Sequence, residues 1–380
     1  MRILAVSHSC VVDVNQRLFV ALSRQPDTEL LLVVPERWKS DYTGAMFAPS
    51  LLPDVDFPVL RAPVIRPGDV VFHAYTRLPI EKIRAFQPDL IYSTQEPYSL
   101  SHAQFDGLAR RLKIPIVFHT NQNLKKRYPP PFGWLEKRAY AHAALALAYS
   151  EEARGVLLEK GRRGPAAVIP YGTDTAQFTP GREPDQRAAW GVDGRFVAGY
   201  LGRLVADKGL DLLIDAVAAL PELPLTILLV GSGTEEDALR RRAAERGITE
   251  RVVFAGPVAH GDAGKALRCM DTLVLPSRTT PRWKEQFGRV LIEAMATGIP
   301  VIGSDSGEIP NLIGATGGGL IFREGDSAEL ADKLRTLATD GDLRSRLAAA
   351  GSAAVTAGYT FEAVARRLRA ALDTVFSGPK

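Results

Sequence analysis

Two carboxylates eight residues apart, Glu285 and Glu293, bracket an aromatic, a glycine and an arginine in PRWKEQFGRVLIEAMATGIPV, residues 281–301. The pattern opens a helix around Phe287-Gly288, and Gly298 and Pro300 close it. Free amides at a helix start recruit anions, whereas carboxylates accept hydrogen bonds from hydroxyls. Acids on both sides of such a start therefore suit a hydroxyl-bearing ligand. Were the eight-residue step helical throughout, it would span about 12 Å at 1.5 Å per residue. That is comparable to the distance from hexose to ribose in a sugar nucleotide. Spacing alone favours the plainer reading, a surface helix with acids at ordinary positions.

Other stretches offer complementary groups. In GYLGRLVADKGLDLLIDAV a strand ends at Leu201, a glycine turn follows, and Arg203 and Lys208 flank a loop that opens a helix near Gly209. Two cations at a strand-to-helix junction can hold a diphosphate, with helix amides as further donors; solvated loop charges explain them equally well. Gly231-Ser232-Gly233 in LLVGSGTEEDALRRRA also joins strand to helix, but it lacks the third glycine of a dinucleotide fingerprint, so a tight turn accounts for it. His119 in PIVFHTNQN stands at the carboxyl end of a strand, and His8 in AVSHSC and Glu96 in YSTQEPYS each follow one, where a doubly wound sheet exposes residues to its ligand crevice. Lys125, Lys126 and Arg127 precede Tyr128, Phe132 and Trp134, with Lys137 and Arg138 after them. Basic residues beside aromatics suit a membrane interface or an anionic lipid-linked acceptor. A solvated rim competes with that reading, and the proline run makes the segment a loop rather than a clean amphipathic helix.

The elements that must position these residues follow from length and pattern. At 380 residues the chain exceeds the roughly 250–300 at which one core stops growing, so two domains are expected. Apolar runs such as RILAVS, ELLLVVP, DVVFHAY, DLIYS, PIVFHT and LALAYS alternate with helical spacing up to about residue 172. DTAQFTPGREPDQRAAWGVDG interrupts them and reads as a linker near residues 174–188. Alternation resumes with RFVAGYLG, LTILLVG, RVVFAG, DTLVLPS, IPVIGSD and GGLIF. The fold class is therefore α/β with two parallel sheets. The expected divisions are residues 1–175, 188–358, and a final helix within 359–380. With 47 basic and 43 acidic residues, charge gives no strong case for nucleic acid. Cys10 and Cys269 form no metal or disulfide pattern. No apolar run approaches 18 residues and the amino-terminal run is too short for a signal peptide, so a cytoplasmic protein is expected, with peripheral membrane contact at most.

Taken together these motifs resemble the retaining glycosyltransferases of family 4, whose GT-B architecture is two Rossmann-like doubly wound domains facing across a cleft. IPYGTD is similar to that family's interdomain signature, GRLVADKG to its diphosphate loop, LLVGSG to its next strand-turn, and EQFGRVLIEAMATGIPVIGSDSGEIPNLI to its Glu-x7-Glu motif. The resemblance implies that Arg203 and Lys208, with amides around Phe287 and Gly288, hold a donor diphosphate. It puts Glu285 and His119 at the transferred sugar as the catalytic pair, and Glu293 at the ribose. Gly231, Gly233, Pro257 and Val258 would lie near the nucleoside, and the acceptor side would include His8, Glu96, Lys125, Lys126 and Arg127. A UDP-, GDP- or ADP-sugar would be a substrate, the acceptor a saccharide, a lipid-linked sugar or a small molecule, and no metal or other cofactor is implied. Such enzymes keep the anomeric configuration by a front-face reaction, and their last helix crosses back to the first domain. The chain departs from the family in two places: SHSCVVDVNQRL replaces a common Gly-Gly loop, and HTNQN lacks the second histidine of an HTxH variant. RTTPRWKEQFG resembles a bacterial subgroup used in surface polysaccharide and glycolipid assembly. A sugar-nucleotide 2-epimerase and a noncatalytic sugar-nucleotide scaffold are the alternatives. An NAD-dependent oxidoreductase is disfavoured because the first domain lacks GxGxxG.

Overall fold

The computed structural model describes residues 1–40 and 44–377. Its contacts divide the chain into two compact units. Unit 1 is Met1–Pro170 together with the segment from Phe361 onward, and unit 2 is Tyr171–Thr360.

Unit 1 is built on seven parallel strands: β1 Arg2–Val6, β2 Glu29–Pro35, β3 Val59–Ala62, β4 Leu90–Ser93, β5 Ile116–Thr120, β6 Leu145–Ala148 and β7 Ala166–Val168. Their order across the sheet is β7-β6-β5-β4-β1-β2-β3. Alternate residues of β1 enter opposite cores: Ile3 and Ala5 pack with Phe19 and Leu22, Leu4 and Val6 with Ile83 and Phe105. Covered faces on both sides explain why these strands read as continuous apolar runs. Ser150 caps the helix Glu151–Glu159 by accepting from the Ala153 amide. The helix Phe361–Asp373 places Val364, Ala365, Leu368 and Leu372 on one face, in the same core as the helix Arg17–Ser23. That stripe assigns the helix to unit 1.

Unit 2 has six parallel strands: β8 Phe196–Leu201, β9 Leu225–Val230, β10 Val252–Gly256, β11 Thr272–Leu275, β12 Val301–Ser304 and β13 Gly319–Phe322. They are ordered β10-β9-β8-β11-β12-β13.

Several local expectations are corrected. DVVFHAY is not a parallel strand; only Ala74–Tyr75 pairs, antiparallel to Val64–Ile65. The Asp69 carboxylate accepts from the Val71 and Phe72 amides at 2.9 Å each and diverts that backbone into a turn. The expected linker contains the helix Pro184–Ala189, and Phe178 lies in the unit 2 core. Buried Arg187 fixes this segment by donating to Cys269 O at 2.7 Å and pairing with Asp271 at 3.2 Å. After the proline run the chain does form a helix, Phe132–His142.

Candidate functional site

In unit 2 the strand order reverses between β8 and β11, so the loops leaving these strands diverge and open a crevice at their carboxyl ends. The loop after β8 carries Arg203 and Lys208; the loop after β11 carries Ser277, Trp283 and Glu285. Lys208 Nζ donates to Glu285 Oε2 at 2.6 Å, and Ser277 Oγ donates to the same oxygen at 2.8 Å. Both ionic side chains are largely withdrawn from solvent, at 15% and 10% exposure. The Trp283 ring lies under the ammonium, 4.7 Å from Nζ to its centroid. Lys208 and Glu285, separated by 77 residues in the chain, thus form one ion pair. Arg203 is exposed, and its carbonyl accepts from buried Tyr200 Oη at 2.8 Å. Burial, and then the nearby Glu285 charge, push the Tyr200 phenol well above its ordinary range.

The helix expected to span both glutamates is the shorter element Arg289–Ala296. Glu285 lies in the preceding loop, so the 12 Å helical step does not apply. Gly288 precedes the helix in the left-handed region, φ 81°, and no side chain caps the first turn. Phe287 is buried against the edge of Tyr171, with ring centroids 5.4 Å apart, so only its backbone is available to a ligand. Gly307 was not singled out in the sequence, yet it fixes Glu285. A Cβ there would fall 1.9 Å from the Glu285 carbonyl oxygen, and the neighbouring Glu308 amide donates to that oxygen at 3.2 Å. The SDSG run after β12 was the available signal.

Glu293 is half-buried; its carbonyl accepts from Thr297 N at 3.2 Å, while its carboxylate makes no hydrogen bond or ion pair among the described residues. Burial raises its carboxyl pKa, while Arg289 and His260 pull it down. His260, the third residue beyond Pro257, is therefore a neighbour that sequence reasoning missed. Pro257 is exposed and Val258 packs on the unit 2 core. The backbone approach that Gly231 and Gly233 permit is to the chain itself. Leu204 N donates to Ser232 O at 2.9 Å, and a Cβ on Gly233 would meet Leu204 O at 2.1 Å.

In unit 1, His119 is the penultimate residue of β5, at its carboxyl end as expected, but it is buried, 1% exposed. Its Nε2 donates to Ile169 O at 3.0 Å, which leaves Nδ1 to accept from Tyr92 Oη at 2.7 Å. Its ring stacks on Tyr149, with centroids 3.5 Å apart, and burial pulls its pKa to about 3. The imidazole is neutral and both nitrogens are engaged. Glu96 accepts from Thr120 Oγ1 at 2.5 Å and Asn121 N at 3.0 Å, tying the loop after β4 to the end of β5. His8 sits at the unit 1 reversal between β1 and β4, and its Nδ1 donates to Gln95 Oε1 at 2.8 Å. Burial, then His73, lowers its pKa to about 4. Trp38 and His73 complete this cluster, with rings 5.3 and 5.5 Å from His8. Lys125, Lys126 and Arg127 are exposed, Lys125 pairing with Glu159 at 3.2 Å. Trp134 is 60% exposed, and Phe72 meets Phe132 edge-on at 4.9 Å. A cavity in unit 1, about 890 Å³, is lined by residues that include Arg2, Asp89 and Lys113. It opens at the amino ends of β1 and β4, away from the residues at their carboxyl ends. Among the described residues no group of three His, Cys, Asp or Glu side chains is placed to hold a metal. No helix among the described residues is long and apolar enough to cross a membrane.

A model described as "Glycosyl transferases group 1" matches residues 182–353, and one described as "Glycosyltransferase Family 4" matches residues 29–177. The chain is 34% identical over 252 residues to the D-inositol 3-phosphate glycosyltransferase of Nocardia farcinica, covering 62% of this chain and 55% of that protein. It is 32% identical over 304 residues to the protein of the same name from Frankia alni, covering 73% and 72%. Among solved structures, Anabaena HepE in complex with UDP superposes with a TM-score of 0.75 at 20% identity, over 98% of this chain and 100% of that one.

Proposed function

The chain belongs to the group 1 glycosyltransferases of family 4, with their GT-B fold of two Rossmann-like domains, and we propose that it transfers a sugar from a nucleoside-diphosphate donor to an acceptor hydroxyl with retention of configuration. The observation that carries this reading is the cluster of Lys208, Glu285 and Ser277 at the unit 2 strand reversal. Lys208, Arg203 and the uncapped first-turn amides of Arg289–Ala296 supply positive potential for a diphosphate, the role a metal ion plays elsewhere. Glu285 accepts from hydroxyls of the transferred sugar, and Glu293, whose carboxylate has no partner among the described residues, accepts from the ribose. The acceptor oxygen bonds to the anomeric carbon on the face from which the diphosphate departs. The bond from that carbon to the phosphate oxygen breaks, and this oxygen takes the acceptor proton. The products are a glycoside of unchanged configuration and a nucleoside diphosphate.

Glu285→Ala should abolish transfer in a chain that still folds, with a lowered melting temperature because Lys208 loses its partner; full activity in that variant overturns the assignment. Donor incubated without acceptor separates transfer from 2-epimerisation, because only an epimerase converts it. A scaffold would bind nucleotide by calorimetry and turn over with no acceptor. A thermal-shift screen of UDP, GDP, ADP and their sugars identifies the donor through stabilisation by mass action. The names of relatives, which include an inositol phosphate glycosyltransferase and a lipopolysaccharide core mannosyltransferase, make polyol phosphates and lipid-linked saccharides the first acceptors to try. A role in bacterial surface glycoconjugate assembly, at the cytoplasmic face of a membrane, fits the basic and aromatic residues 125–138.

A further inference from the structure

The proposed donor site is occupied by its own side chains. Glu285 is the rigid member of the ion pair. Its carbonyl accepts from the Glu308 amide and abuts Gly307, and its carboxylate accepts from Ser277. Ser277 is fully buried, and its own carbonyl accepts from Ser304 Oγ at 2.6 Å. Lys208 is the mobile member, because its ammonium ends a flexible four-carbon stem that leaves the short 3-10 turn Ala206–Lys208. Trp283 backs the ammonium from the other side. Its own position is set by a turn in which Thr280 N donates to Trp283 O at 2.7 Å and Trp283 N donates to Thr280 Oγ1 at 3.0 Å.

A neutral sugar hydroxyl is a poor competitor for this arrangement. To reach Glu285 Oε2 it must displace the ammonium and leave a largely buried cation without its partner, which is strongly unfavourable. A diphosphate can take the ammonium, because it offers Lys208 more negative charge than the carboxylate does. We infer that the Lys208–Glu285 ion pair is a latch opened by the donor's diphosphate, so that Glu285 accepts sugar hydroxyls only after Lys208 has turned to the phosphates. The inference rests on the donor-site reading above. Coupling of this kind is reciprocal: the diphosphate raises the affinity for the sugar, and the sugar raises that for the diphosphate by the same factor.

The test uses the full chain, the nucleotides UDP, GDP and ADP, and free glucose, galactose and mannose. Calorimetry reads nucleotide binding, saturation-transfer NMR reads sugar binding, and fluorescence reads Trp283. The expected result is that the nucleotide that binds raises monosaccharide affinity at least tenfold. It should also change an emission component that Trp283→Phe removes, as the ammonium leaves the ring. In Lys208→Met, monosaccharide binding should no longer require nucleotide. Nucleotide binding with unchanged sugar affinity, or a Lys208→Met protein whose sugar binding still requires nucleotide, overturns the latch and leaves the donor site standing. Should Lys208→Met fail to fold, the wild-type fluorescence decides, since saturation by nucleotide without a Trp283-dependent change also overturns it. If none of the three nucleotides binds, the donor-site reading falls and the latch with it.

Discussion

Gly307 provides a direct test of how tightly the site is built. It holds φ at 58°, and a methyl group there would lie 1.9 Å from the Glu285 carbonyl oxygen, whereas real Cβ contacts essentially never fall under 3.0 Å. Gly307→Ala must therefore push the two segments apart by roughly 1 Å, because a packed interior leaves no slack to absorb the methyl group. A left-handed alanine costs about 1 kcal/mol, and loss of the Glu308-to-Glu285 backbone hydrogen bond adds about 1 kcal/mol. A destabilisation of about 2–3 kcal/mol should leave the chain folded at 25 °C. The effect on function should be larger in proportion. In the sugar-orienting role proposed for Glu285, a displacement on the order of 1 Å costs about 100-fold in rate. The assay pairs urea melts with nucleoside diphosphate release at saturating donor. Gly314→Ala is the control: it lies on the adjoining helix Ile309–Thr316, and its Cβ would meet nothing within 4 Å. That change should stabilise by about 0.5–1 kcal/mol. If Gly307→Ala matches Gly314→Ala in stability and turnover, the close approach does not hold Glu285 and the reasoning fails.

Three further outcomes are expected. Burial raises the Glu293 carboxyl pKa, so the folded chain binds that proton more tightly than the unfolded chain, and stability falls as pH rises from the ordinary carboxyl value through the raised one. Glu293→Gln should therefore be more stable than wild type at pH 7.5, equal to it at pH 4, and weaker in nucleotide binding; urea midpoints at the two pH values and calorimetry check this. In unit 1, burial pulls His119 to about 3 and His102 to about 4. For such bases the stability is fully present above pH 6.5 and is lost as pH falls towards the folded values, at about 1.4 kcal/mol per pH unit for each group. Hydrogen exchange at pH 5 should show unit 1 amides losing protection before those of unit 2, and equal loss in both would contradict the assignment. Sedimentation with phosphatidylglycerol vesicles should fall for Trp134→Ala and for Lys126→Glu, and should weaken with added salt; binding unaffected by either change removes the membrane role proposed for residues 125–138.

How much of this was legible in the sequence depends on the range of the forces involved. β1, β2 and β4 were readable because strands buried on both faces must be apolar at every position, which is a local property. DVVFHAY had the same composition and failed, because one carboxylate, Asp69, captures two amides and turns the backbone. The motifs around Arg203, Lys208, Glu285 and Glu293 were visible as residue types, yet spacing could not separate a site from an ordinary helix surface. What separates them is topology: the strand reversal between β8 and β11 brings two distant loops to one crevice, a consequence of pairing order that no local pattern encodes. The same limit explains His119. Its position near a strand end suggested exposure, but its partners Tyr92 and Ile169 come from elsewhere in the chain and engage both nitrogens. Gly307 was missed for the complementary reason: it carries no chemistry of its own. Only the 1.9 Å approach to the Glu285 carbonyl shows that a missing side chain can fix that segment as firmly as a hydrogen bond does.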